Sequence, residues 1–128
     1  MAPRFRHAVM IGLLGRQFDR FHTYTPARSL EERLEMLRDI PGCEGIEPVY
    51  PAEFRDLEAG ARTLRASGWP VAAVNLNVKG DDHWRNGSFT SSDPAIRAAA
   101  VRDLKIAMDL AAELGRNLVT CCPLIDGH

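Results

Sequence analysis

The sequence predicts an α/β fold in which parallel strands alternate with helices in the order β-α-β-α-β-α-β. Three observations carry this expectation. Residues 84–128 read as a loop, a long one-striped helix, a short apolar strand and a final loop, which is the α–β half of a βαβ unit. Two further apolar runs of strand length, 8–14 and 71–78, are set apart by amphipathic, capped stretches. No tandem hairpin signal and no linker-like stretch interrupts the alternation, so a parallel sheet with helices packed on it follows.

The first strand is AVMIGLL, residues 8–14, a continuous apolar run of the kind buried on both faces. A polar-aromatic loop follows, with Phe18, Phe21, His22 and Tyr24 among Arg16, Arg20 and Arg28. It can be a lid over a pocket, a patch for a partner subunit, or a loop packed on itself over the rim of the fold. Ser29 and Glu32 then make an S-x-x-E capping box. Leu30, Leu34, Leu37 and Ile40 run one helical stripe, which Pro41-Gly42 ends. Residues 45–50 form a second short strand. Phe54, Leu57, Ala61 and Leu64 place a second helix over 52–67, stopped by Gly68, and VAAVNLNV, residues 71–78, is the third strand. Ser91, Ser92 and Asp93 offer cap oxygens, and Pro94 suits the first helical position because its missing N–H costs nothing there. Ile96, Ala100, Leu104, Ala107, Met108, Ala111 and Leu114 continue that helix as one stripe until Gly115. LVTCC, residues 118–122, is the fourth strand.

The chain of 128 residues suits one domain, and 45% apolar with 26% charged residues is ordinary for a soluble globular protein. A formal net charge of −1 leaves no broad basic field for a phosphate backbone, so nucleic acid is not an expected partner. Three cysteines, two of them adjacent at Cys121 and Cys122, make no disulfide framework and fit a reducing compartment, so the cytoplasm is expected. The start MAPRFRHAVMIGLL imitates a signal peptide, but the apolar run is short and no small-residue cleavage site precedes Arg16. Nothing approaches the roughly 20 apolar residues of a membrane span, so no membrane partner is expected.

Two parallel architectures compete, an open doubly wound sheet and a (β/α) barrel. The stretch GLLGRQFDR lacks G-x-G-x-x-G and no helix starts there, which disfavours a dinucleotide fold. In the third strand Asn75 and Asn77 share one face, while Val74, Leu76 and Val78 share the other. Polar side chains near the C-terminal end of a strand, backed by an apolar face toward helices, suit a barrel of the TIM type whose mouth holds a ligand.

The phrase GIEPVYPAEF after a capped first helix, the phrase GSFTSSDPAIRAAAVRDLKIAMDLAAELG, and a fourth strand running into CCPLIDGH carry a further signal. Together they resemble the xylose-isomerase-like (β/α)8 barrels of the sugar isomerase, epimerase and AP-endonuclease superfamily, and within it the rhamnose or xylose isomerase type. Cys121-Cys122 stands where the ending of that pattern usually has a tryptophan close by, and His128 near its tyrosine position. A complete barrel takes about 250 residues, so residues 1–128 are expected to be the N-terminal half of such a domain, or a truncated product. The resemblance implies a small-molecule sugar substrate, a homo-oligomer, and a divalent metal (Mn, Mg, Co or Zn) whose main ligands come from later strands outside this chain.

Several residues are candidates for the site. Glu47 alternates with Ile46 along the second strand, so its carboxylate points away from the helices if Ile46 faces them. There it is a polar group under the substrate, or a structural carboxylate bonded to a neighbouring strand or an arginine. Asn75 and Asn77 can bind hydroxyls or fill a polar barrel layer. Asp81, Asp82 and His83 follow the third strand, where carboxylates beside an imidazole suit metal binding or acid–base chemistry, against the plainer reading of a solvated loop. Trp84 can stack on the apolar face of a sugar ring. Asp126 and His128 follow the fourth strand, Asp126 as a hydroxyl binder and His128 as an acid–base group, unless the end is frayed. Cys121 and Cys122 diverge on successive strand positions and read as inert core thiols rather than a redox or soft-metal pair. His7 precedes the first strand, away from the mouth.

The expected activity is therefore that of a metal-dependent sugar or sugar-phosphate isomerase or epimerase. His83 and His128 would be its catalytic groups, and Glu47, Asn75, Asn77, Trp84 and Asp126 its substrate contacts. The rivals are a metal-dependent phosphodiesterase of the AP-endonuclease kind and a truncated, inactive half-barrel that self-associates through open sheet edges.

Overall fold

The structure is a computed structural model that describes residues 5–15, 21–79 and 81–123. Its strands are β1 (His7–Met10), β2 (Cys43–Glu47), β3 (Val49–Tyr50), β4 (Val74–Leu76) and β5 (Val119–Cys121). Its helices are α1 (Leu30–Met36), α2 (Leu57–Ser67) and α3 (Pro94–Glu113). Every strand pairing is parallel: β1 with β2, β3 with β4, and β4 with β5. The two sheets are stitched by a parallel bridge between Ile46 and Val71, in which the Ile46 N–H donates to Pro70 O at 2.8 Å and the Ala72 N–H to Ile46 O at 2.8 Å.

Spatial order therefore follows chain order. Helix α1 packs on α2 and α2 on α3, and all three share one apolar core with the sheet. A doubly wound sheet instead reverses its order midway and carries helices on both faces. The mixed α/β class with parallel strands is as the sequence predicts, and the described strands do not close into a barrel.

The helix ends follow their sequence signals. The Ser29–Glu32 capping box is formed in both directions. Asp93 caps α3 by accepting from the Ala95 N–H at 2.8 Å, with Pro94 in the first turn. Gly68 and Gly115 stop α2 and α3 with φ of 73° and 74°, the left-handed conformation that glycine adopts at least cost.

Several boundaries differ from the sequence expectation, each for a local reason. The first strand ends at Met10, and Ile11–Leu14 turn into a 3-10 segment that leans on the sheet. Gly12 comes so near Val49 that an added Cβ would sit 3.0 Å from its Cγ2. Ile11 stays fully buried, so the apolar run 8–14 records burial rather than extension.

The second strand breaks at Pro48, which has no N–H to give the ladder. Helix α2 starts at Leu57 rather than Ala52, because Asp56 accepts from the Ala59 N–H at 2.9 Å and the preceding residues form a turn closed by Glu53 N–H on Val49 O. Phe54, 2% exposed, thus joins the core from that turn. Helix α1 tightens to 3-10 over Leu37–Asp39. Regular pairing covers only Val74–Leu76 of the expected third strand and Val119–Cys121 of the fourth.

In α3 Ala100, Ala107 and Ala111 are buried as the stripe predicts, but Met108 is 55% exposed and Leu110 is buried in its stead. These short alanine side chains let the helix lie close over β4, against which it packs.

Candidate functional site

Alternation along the strands divides the sheet chemically. Ile46, Tyr50, Val74 and Leu76 enter the core beneath the helices. Glu47, Val49, Asn75 and Thr120 are the alternate positions, and they turn to the other face. Val49 and Asn75 are partners in the ladder, as are Asn75 and Thr120. Register therefore sets Asn75 beside Thr120, with Glu47 two residues before Val49, the partner of Asn75 on its other side.

On that face the polar groups join. Asn75, 7% exposed, donates through Nδ2 to Thr120 Oγ1 at 2.9 Å. The Thr120 hydroxyl in turn donates to Glu47 Oε1. A half-buried carboxylate is thus held by a hydroxyl two strands away in the sheet, and that hydroxyl by an amide. Such bonding is what makes burial of these groups tolerable. The sequence placed Glu47 and Asn75 on one face but passed over Thr120. Its signal was the alternation within LVTCC, where Thr120 stands between two positions that pack on the core, Val119 and Cys121.

A second constellation lies on the helix side, around α3. Trp84 is 1% exposed and packs in the core, so its ring faces no open space in this structure. His83 is exposed and its ring lies 3.9 Å from that of Trp84, tilted by 44°. Burial raises the Asp103 carboxyl above the usual carboxylate range, with Arg102 and His83 opposing the shift. Burial also raises the Tyr50 phenol, the Asp103 charge adding to it and Arg102 opposing. His83 is therefore coupled electrostatically to α3, and no hydrogen bond among the described residues ties it to Glu47 or Asn75.

The remaining candidates are dispersed. Asn77 Oδ1 accepts from the Lys79 N–H at 3.1 Å and shapes the turn after β4. Asp82 pairs with Arg85 at 3.1 Å with its side chain 95% exposed, as in a solvated loop. Phe21 and Tyr24 are 82% and 63% exposed, and the Tyr24 ring meets His22 edge-on. Cys121 is half-buried and packs against the core, while Cys122 is exposed. Phe18, Asp126 and His128 lie outside the described residues.

One buried pair also escaped sequence reasoning. Arg33 of α1 donates to Glu53, whose other oxygen accepts from the Val49 N–H. The two residues are twenty positions apart and carry no spacing signal. Their bond fixes the turn after β3 and the strand that lies beside Asn75.

For a divalent metal the described residues are insufficient. Among them no group of three or more His, Cys, Asp or Glu side chains converges, whereas protein sites for such ions draw on about four to eight ligands. Glu47 is the lone carboxylate of the polar network.

No family model matches the chain. Over 66 residues, 52% of the chain, it is 38% identical to the xylose isomerase of Thermus thermophilus. Over 66 residues it is 39% identical to the xylose isomerase of Thermus caldophilus. The matched stretch spans 17% of the length of each of these relatives. The chain thus contains a segment similar to xylose isomerase.

Proposed function

We propose that this chain is the N-terminal half of a xylose-isomerase-like (β/α) barrel, part of a cytoplasmic, homo-oligomeric sugar isomerase or epimerase. The observation that carries the reading is the hydrogen-bonded row Glu47–Thr120–Asn75, on the face of the sheet opposite the core that α1, α2 and α3 cover, in a sheet whose strands follow chain order. In a parallel barrel that face is the interior, and side chains near the strand ends meet the ligand. The similarity of a 66-residue stretch to two xylose isomerases supports the same reading.

In this reading Glu47 and Asn75 form a wall of the pocket, accepting hydrogen bonds from sugar hydroxyls and orienting the carbon chain. The metal expected for such an isomerase takes its ligands from other parts of the protein, since the described residues do not assemble a site. A phosphodiester substrate is less well served, because a carboxylate stands at one end of the polar row and the net charge is −1.

The test is aldose–ketose interconversion by the natural polypeptide that carries these residues, assayed with D-xylose and a panel of aldoses, with Mn, Mg or Co and after chelation. Metal-dependent ketose formation is expected. No turnover of any sugar with any metal overturns the reading.

A further inference from the structure

We infer that Thr120 is the positioning residue of the polar face, holding Glu47 and Asn75 so that their two remaining oxygens receive the hydroxyl donors of a sugar or polyol. This rests on the sugar-site reading above. A threonine hydroxyl has one proton and two lone pairs. Here the proton goes to Glu47 Oε1 and a lone pair receives Asn75 Nδ2. That choice fixes the rest of both groups. With Nδ2 spent on Thr120, Asn75 Oδ1 is turned the other way. With Oε1 spent, Glu47 keeps Oε2.

Among the described residues neither Oε2 nor Oδ1 makes a hydrogen bond, and no buried side-chain nitrogen or oxygen lacks a partner, so neither oxygen is fully enclosed. The face therefore offers two acceptors from adjacent parts of the sheet. An anion is repelled by them. A divalent cation calls for about four to eight converging ligands, and no group of three or more His, Cys, Asp or Glu side chains is present among the described residues. Neighbouring hydroxyl groups, each with a proton to donate, match the pair.

Thr120 touches no ligand in this scheme and acts through its two partners. Valine at the same position keeps the shape and removes both bonds, whereas serine keeps the hydroxyl. The experiment is NMR of the 15N-labelled natural polypeptide that carries these residues, following the Asn75 side-chain amide and titrating D-xylose into wild type, Thr120→Val and Thr120→Ser. In Thr120→Val the Asn75 amide signals are expected to move, and the affinity for D-xylose to fall about tenfold, the scale of one hydrogen bond to a charged group. Thr120→Ser is expected to restore both. Thr120→Ala carries the same comparison should the valine variant fail to fold.

Unchanged amide signals and affinity in Thr120→Val overturn the inference, as does a serine variant no better than valine. Wild-type polypeptide that binds no D-xylose, while Thr120→Val still moves the Asn75 signals, overturns the sugar reading and the ligand assigned to the face. The two failures are therefore distinct.

Discussion

Arg33 and Glu53 meet in the interior, the guanidinium of α1 donating to the carboxylate of the turn after β3, with side chains 10% and 0% exposed. The same carboxylate accepts the Val49 N–H, and Arg33 Nε donates to Ser29 O at 3.2 Å. The pair therefore joins the start of α1 to the strand beside the polar face. Removing one partner strands the other charge away from water, which costs about 3–5 kcal/mol. R33A and E53A are each expected to lower stability by that amount in urea denaturation. R33M combined with E53L is expected to lose less than either. Equal loss in the double variant would show that the charge pairing is not the cause.

Gly60 lies inside α2, where alanine ordinarily improves a helix by about 1 kcal/mol. Here an added Cβ would stand 2.4 Å from Glu53 O and 3.1 Å from Phe54 Cδ1. Overpacking against backbone costs about 1–3 kcal/mol, so the steric term wins. G60A is expected to lower the melting temperature, and a rise would show that the turn after β3 yields.

Trp84 is a core residue in this structure, at 1% exposure. W84A is expected to cost about 3–5 kcal/mol, while W84F keeps most of the stability and leaves D-xylose affinity unchanged. A loss of sugar binding in a stable W84F protein would instead put the indole in the pocket.

Asp103 ionises less readily in the fold than in the unfolded chain, because burial outweighs the favourable charges of Arg102 and His83. A carboxyl with a raised pKa favours the folded state while protonated. That contribution is full below the ordinary carboxylate pKa of about 3.9 and is lost as pH rises through the raised value. D103N should therefore melt higher than wild type at neutral pH, with the gap closing as pH falls through the ordinary carboxylate range. The Asp103 charge also helps to raise the Tyr50 phenol. In a Y24F background, ultraviolet titration should show Tyr50 ionising at lower pH once Asp103 is replaced. A gap in melting temperature that does not change with pH would contradict the assignment.

The helix signals were readable because they are local. Ser29 with Glu32, Asp93 with Pro94, and the glycines at 68 and 115 each act within one turn of chain, and each does in the structure what its chemistry dictates. Alternation likewise put Asn75 opposite Val74 and Leu76. Extent was harder to read. Ile11 is as buried in a 3-10 turn as in a strand, so an apolar run cannot show where β1 ends. Asp56, as a cap, outcompeted the apolar spacing that began α2 too early. Thr120–Glu47 and Arg33–Glu53 are set by sheet register and by helix packing across long stretches of chain, neither of which leaves a periodic trace.

The most direct measurement is conversion of D-xylose to its ketose by the natural polypeptide, wild type against E47Q, with circular dichroism to verify that the fold is kept. Turnover is expected in wild type, with a loss of at least about tenfold in kcat/KM when the Glu47 charge is removed. Equal turnover by the folded E47Q protein, or none by wild type, would contradict it.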